Sequence, residues 1–180
     1  MSRSSSLKMT AMQRIEILNY PIGEQLWDLQ WGFRIDGTDL RVHAAEATRD
    51  LWRQELEDEE PAEEEHFLLT QHDGLALSEV GDSVRHFLGD PAPEFVDPSS
   101  CATPVLGCSC GLWGCWPLLT VIATTSETVT WSSFRQPFRR EWGELAMGPY
   151  VFARSAYEDA LTEPTRLAAD PLRTPGKVTL

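Results

Sequence analysis

An α+β domain with a mainly antiparallel sheet and a few short helices is the fold class this sequence predicts, on three observations. Period-two strand patterns recur in hairpin-like pairs. Helical patterns occupy separate segments instead of alternating with strands, and no internal repeat organises the chain. At 180 residues the chain suits one domain with a core that needs no staples. That domain is expected over 13–164. The polar stretch 1–12 reads as a disordered N-terminus, and 165–180 reads as a flexible tail with two prolines, a glycine and no periodicity.

Each element has a local reason. Trp31-Gly-Phe-Arg-Ile35 alternates, Asp36-Gly37 offers a tight turn, and Leu40 and Val42 resume the alternation, which predicts a hairpin. Ala44 to Glu57 predicts a helix: Ala44, Thr48, Leu51, Trp52 and Leu56 form its apolar stripe, and Pro61 ends it at the latest. Glu46 with Arg49 and Arg53 with Glu57 add favourable pairs on its surface. His66-Phe-Leu-Leu-Thr70 is a short apolar run of either type, closed by Asp73-Gly74. Residues 89–104 hold four prolines and read as a surface loop.

The second half is clearer. Leu118-Leu-Thr-Val-Ile-Ala123 is a continuous apolar run, as a central strand buried on both faces would be. Thr128 to Phe134 alternates, with Val129 and Trp131 on one face, and reads as its antiparallel partner. Pro149 to Ala153 is a third short strand. Ser155-Ala-Tyr-Glu158 then has the spacing of a capping box, opening a helix through Leu161 that Pro164 stops. The seven tryptophans are scattered, which favours a tryptophan-rich core over a binding surface.

Net charge is −13, and its placement is uneven. Residues 101–180 carry seven basic and seven acidic side chains, so the whole imbalance lies in residues 1–100. Eight acids crowd into the eleven positions from Glu55 to Glu65. Such a run reads first as a solvated, self-repelling surface. It also suits long-range attraction of a basic protein partner, with Glu57, Asp58, Glu59, Glu60, Glu63, Glu64 and Glu65 as the docking residues. Nucleic acid is disfavoured as a ligand, because neutralising phosphates needs clustered Lys and Arg. Phe134-Arg-Gln-Pro-Phe-Arg-Arg140 interleaves arginines with aromatics, but three arginines in a neutral half make a poor nucleic-acid footprint. They could equally hold the acidic run within the molecule.

All four cysteines, Cys101, Cys108, Cys110 and Cys115, fall within fifteen positions. Four thiolates make a closed tetrahedral zinc shell, and Gly107, Gly111 and Gly114 would let the backbone wrap an ion. The spacing differs from the usual pair of C-x₂₋₄-C knuckles, and all four ligands would come from one segment. The alternative is that the thiols pack as small apolar groups beside Trp113 and Trp116. No secretory signal and no apolar stretch of about twenty residues is visible, so a cytoplasmic setting without disulfides and without a membrane span is expected.

Catalytic templates fail in turn. There is no C-x-x-C ahead of a helix to lower a thiol pKa. Gly107-Cys-Ser109-Cys-Gly111 matches G-x-S-x-G, but no helix is expected after it and His43, His66, His72 and His86 all precede it. Cys110 with His72 or His86 and Asp73 is a conceivable nucleophilic set of a kind that arises by chance. P-loop, G-x-G-x-x-G and H-E-x-x-H motifs are absent.

Cys110-Gly-x-x-Gly-Cys115, the apolar strand, Val129-x-Trp131-x-x-Phe134, Gly148-Pro-Tyr-Val-Phe152 and Tyr157-x-x-Ala-Leu161 together resemble a group of small uncharacterised proteins of actinobacterial type. Members of that group carry C-x-x-C-G-x-x-G-C where this chain has C-x-C-G-x-x-G-C. The resemblance covers 105–161. It implies the same α+β architecture and a bacterial cytoplasmic setting, and it transfers no catalytic residues. The sequence therefore reads as an acidic binding or regulatory protein, immunity- or inhibitor-like, more than as an enzyme. The alternatives are a structural zinc protein, or an enzyme, built on the cysteine cluster.

Overall fold

The computed structural model describes residues 11–23, 25–56, 64–95 and 101–173. It is an α+β fold with two mainly antiparallel sheets. In the first sheet, β1 (Ile15–Ile22) pairs along its length with β2 (Gln25–Ile35). Short β3 (Thr38–Asp39) and β5 (Leu75–Ala76) both add to β2, and β10 (Thr165–Arg166) lies parallel to β1. The second sheet runs β4-β6-β7-β8-β9, from β4 (His72–Asp73) through β6 (Thr103–Cys108), β7 (Leu118–Thr124) and β8 (Thr128–Arg135) to β9 (Tyr150–Ala153). Gly74 alone separates β4 from β5, so one short turn carries the chain from one sheet to the other.

The expected hairpin exists, but its second arm is short. Asp36 and Gly37 close it with φ of 50° and 84°, the two positive values whose twist suits a hairpin turn. The chain then turns helical at Leu40, because the Asp39 side chain caps it by accepting from the Arg41 backbone N–H at 2.9 Å. Leu40 and Val42 are thus the first turn of α1 (Leu40–Glu55) and not a strand. Leu40, Ala44, Ala45 and Thr48 form its buried face. The ambiguous run at 66–70 belongs to a helix, α2 (Glu64–Thr70). Two short helices follow, α3 (Leu77–Val80) and α4 (Ser83–Phe87).

The strands expected at 118–123, 128–134 and 149–153 are present and antiparallel as read. α5 spans Arg154–Thr162 and stops short of Pro164, but Ser155 is not its cap. The cap residue is Ala153, without a side-chain bond, and Glu158 instead accepts from Arg154 Nε at 2.8 Å across one turn. The proline-rich stretch 89–104 is not wholly superficial. Phe95 is buried against His86 and Trp113, and Ala102 and Thr103 are buried where β6 begins.

Aromatic side chains join the two sheets. Phe33 of β2 meets Trp131 of β8 edge-on at 5.0 Å, and Phe87 meets both Trp31 and Phe33. Trp131 donates to the Tyr157 hydroxyl at 3.2 Å, which donates to the Phe87 carbonyl at 2.6 Å, so α4 and α5 are tied to the same core.

The segment 165–173 is docked, contrary to the expectation of a tail from 165. β10 pairs with β1, and the Leu167 amide donates to the Asn19 carbonyl at 2.8 Å. Asp170 is buried and binds Arg41, whose side chain is 3% exposed. Arg41 donates to Asp39 through Nε and Nη2 at 3.0 and 2.9 Å, and to Asp170 through Nη1 and Nη2 at 2.9 and 2.8 Å. Asp73 stands 3.8 Å away, and the Tyr20 ring lies under the guanidinium. Burial works to deprotonate Arg41, but these bonds override it and raise its pKa. Burial likewise works to raise the Asp170 pKa, and the bonds from Arg41 hold it below the ordinary value.

Replacing Arg41 by Met strips buried Asp39 and Asp170 of the guanidinium, leaving them backbone amides and, for Asp170, Arg173 at 3.6 Å, and we expect a loss of about 3–5 kcal/mol in urea unfolding. A loss under about 1 kcal/mol would show that water already serves those carboxylates. Acid sensitivity has a separate source. His72 is buried and held neutral, its pKa pushed down to about 4, mainly by desolvation, with Arg41 adding a smaller push. The unfolded chain binds that proton near pH 6.5, so stability falls as pH drops from there towards 4, by up to about 3 kcal/mol. His86, lowered by burial as well, acts in the same direction. Unfolding midpoints at pH 7 and pH 4.5 measure this drop, which should shrink in His72→Gln.

Candidate metal centre

Three of the four cysteines come together at the end of β6. Cys108 is the last residue of that strand. The chain reverses through a turn in which the Gly111 amide donates to the Cys108 carbonyl at 3.2 Å, and Gly111 sits at φ +90°, a region side chains disfavour. A 3₁₀ turn over Trp113–Cys115, closed by the Cys115 amide on the Leu112 carbonyl at 3.0 Å, brings Cys115 back beside Cys108 and Cys110. The three Sγ atoms lie within 4.8 Å of one another, close enough to hold a metal ion. A side chain at Gly107 would meet the Trp113 backbone at 3.0 Å, so the bare backbone there lets the 3₁₀ turn fold down onto β6. Trp113 then anchors the loop by packing on Phe95 with ring centroids 4.6 Å apart.

Cys101 stands outside this group, which corrects the four-thiol shell expected from the sequence. It lies two residues ahead of β6, whose extended run of roughly 16 Å from Thr103 carries the chain away from it to Cys108, and its Sγ is not among those within 4.8 Å of one another. All four thiols are free. Cys108 is half-buried and the other three are exposed, so the cluster is not the packed apolar group that was the alternative reading.

The three thiols differ in acidity. Burial pushes the Cys108 thiol up to about 11, while contact with the Leu112 backbone and a hydrogen bond with Cys108 hold Cys110 below its ordinary value. Cys110 N–H also donates to Cys108 Sγ at 3.5 Å. A Cys–His pair for nucleophilic catalysis is not assembled. His72 pairs with Cys108 in the β4–β6 register, but its Nδ1 lies 3.1 Å from the Trp116 carbonyl and 3.4 Å from that of Gly107, so Nδ1 carries the proton and donates. His86 Nε2 is 2.8 Å from the Pro104 carbonyl. After Ser109 the chain forms a turn and then β7, not the helix that a nucleophile elbow requires.

The residue after Cys115 ties this loop to the helices. Trp116, Trp52 of α1 and Trp142 surround the Arg139 guanidinium, with ring centroids 5.2, 5.6 and 6.0 Å from its central carbon. Glu55 accepts from Arg139 Nε at 3.0 Å and from Trp142 Nε1 at 2.7 Å. Gln71 Oε1 accepts from both Trp52 and Trp116. Three of the seven tryptophans therefore form a half-buried cage, with Trp142 also packed against the core. The sequence reading missed it, and the one available signal was the Arg–aromatic interleaving at 134–140.

The acidic run is partly described. Glu57, Asp58, Glu59, Glu60 and Glu63 lie outside the described residues. Glu64 accepts from Arg53 Nε at 2.8 Å, and Glu65 pairs with Arg49 at 2.8 Å. The run is thus clamped at both described ends, to Arg139 through Glu55 and to α1 through Glu64 and Glu65. Arg139 belongs to the 134–140 arginine–aromatic pattern, whereas Arg49 and Arg53 come from α1 itself.

No protein-family model matches this sequence, and neither a curated protein nor a solved structure matches it. No helix among the described residues is long and apolar enough to cross a membrane.

The acidity difference has a measurable consequence. Under limiting iodoacetamide at pH 8, mass spectrometry should find Cys110 alkylated before Cys108, because the thiolate is the reacting form. Equal rates at the two positions would mean that the shared hydrogen bond does not separate their acidities.

Proposed function

We propose that this chain is a binding protein, not an enzyme, and that its Cys108, Cys110 and Cys115 loop holds one thiophilic metal ion, with zinc the expected occupant. The observation that carries this reading is the mutual approach of three Sγ atoms within 4.8 Å. Zinc–sulfur bonds of about 2.3 Å in tetrahedral geometry need sulfurs roughly 3.8 Å apart, so a small contraction of an exposed loop suffices. Thiolate sulfur selects soft or borderline cations over magnesium and calcium. Three protein thiolates leave a fourth position for water or an outside ligand. An ion there would pin the end of β6 to the start of β7 and set where Trp116 meets the tryptophan cage.

Protein purified without chelator should contain about one equivalent of zinc by elemental analysis. Cys108→Ser or Cys110→Ser should lose it, and Cys101→Ser should retain it. A folded, metal-free preparation that also fails to take up added zinc would end this reading. Loss of zinc in Cys101→Ser would instead restore the four-thiol shell.

A basic protein partner is a second reading, supported by the net charge of −13 and its confinement to residues 1–100. Association would then weaken steeply with salt, because attraction between exposed charges fades beyond about 8 Å at physiological ionic strength. Glu64 and Glu65 would contribute little to it, since both are engaged by cations of α1. An affinity unchanged between low and high salt would remove the electrostatic basis of this reading.

A further inference from the structure

A cleft of about 550 Å³ opens between α1 and the segment from β8 into β9. That volume lies in the range of small-molecule sites. His43, Glu46 and Asp50 contribute from α1, Trp142 and Glu144 from the connecting segment, and Tyr150 from β9. Three carboxylates line it, and no Lys or Arg does. Asp50 is paired with Arg53 at 3.1 Å, but Glu46 and Glu144 make no ion pair or hydrogen bond among the described residues. His43 packs its ring on Tyr150 at 5.5 Å, and its Nε2 is shielded from solvent with no hydrogen-bond partner.

Two further observations decide what such a cleft would take. First, Trp142 serves two compartments. On the cage side the chain supplies its own cation, Arg139, seated among indoles with the Glu55 carboxylate on it. The cleft repeats the aromatic wall and the carboxylates, and the one chain cation that reaches them is Arg53, on Asp50, which leaves Glu46 and Glu144 unpaired. Second, Glu46, Asp50, Glu144 and His43 do not bring three ligand atoms within 4.8 Å of one another, whereas the cysteine trio does. The charges are too spread to converge on one metal ion and suit a ligand whose own charges are separated.

We propose that this cleft binds a small organic polycation, a molecule with two or more ammonium or guanidinium groups joined by methylenes, as in an aliphatic polyamine. Its charged nitrogens meet the Glu46, Asp50 and Glu144 carboxylates, and its methylenes and one cationic group lie against Trp142 and Tyr150. Glu46 and Glu144 are exposed, so both can be neutralised without disturbing the core.

The test is calorimetric titration of the full chain with spermidine and with agmatine at physiological salt, with Mg²⁺ as a control. Saturable one-to-one binding is expected. It should weaken at least tenfold in the double variant Glu46→Gln/Glu144→Gln and stay unchanged in Glu127→Gln/Glu163→Gln, which removes the same charge from two exposed acids away from the cleft. It should also be unaffected in Cys108→Ser, separating this site from the thiol centre. Absence of saturable binding overturns the proposal. So does equal weakening in both double variants, which would indicate diffuse attraction to an acidic protein, and so does tighter Mg²⁺ binding lost in Glu46→Gln/Glu144→Gln, which would make the cleft a metal site.

Discussion

The buried Arg41 guanidinium is the interaction on which the arrangement of the chain most depends. It gathers four separate segments: the turn before α1 through Asp39, β4 through Asp73, β1 through the Tyr20 ring, and the C-terminal segment through Asp170. Taking a cation out of water is costly, and it is stable here because two carboxylates each accept two hydrogen bonds from the guanidinium fork. A lysine could not replace that geometry, since its point charge has no planar fork. The arrangement also explains why 165–173 belongs to the fold. Asp170 supplies half of the fork's bonds, and its own backbone position is fixed by the nearby pairing of β10 with β1.

A second cation plays the same part at the surface. Arg139 draws Trp52, Trp116 and Trp142 round itself and bonds Glu55, so α1, the end of the cysteine loop and the β8–β9 connection meet at one point. Trp116 is covalently next to Cys115, and Gln71 bonds both Trp116 and Trp52. Any shift of the thiol loop on taking up an ion would therefore be felt at α1, and the cage limits how far the loop can move. The acidic cleft shares Trp142 with this cage, and the thiol loop reaches it through Trp116, the residue after Cys115.

The electrostatics separate these regions by more than net charge. The chain is acidic overall, yet most described acids that approach the helices are matched: Glu55 by Arg139, Glu64 by Arg53 and Glu65 by Arg49. Exposed pairs of this kind each contribute little stability, typically under about 1 kcal/mol. Glu46 and Glu144, which line the cleft, are among the described acids that no ion pair matches. Position, not total charge, then decides where a cation would settle.

Local pattern by itself determined the elements whose side-chain period is unambiguous. The alternation from Thr128 to Phe134, the apolar run at Leu118–Ala123, the turn at Asp36-Gly37 and the stop at Pro164 all follow from neighbours a few residues apart. The grouping of Cys108, Cys110 and Cys115 was legible for the same reason, because a short loop with glycine at 111 has few ways to fold. Tertiary structure decided the rest. Leu40 and Val42 fit a strand as well as a helix until the Asp39 side chain caps the Arg41 amide. Cys101 joined the cluster on spacing alone and leaves it once Thr103–Cys108 is extended. Arg41 and Asp170 are 129 residues apart, and Arg139 and Glu55 are 84 apart, so neither the buried clamp nor the cage leaves any periodic trace along the chain. Local periodicity reports which face of an element is buried, and it holds no information about which distant charge will meet it there.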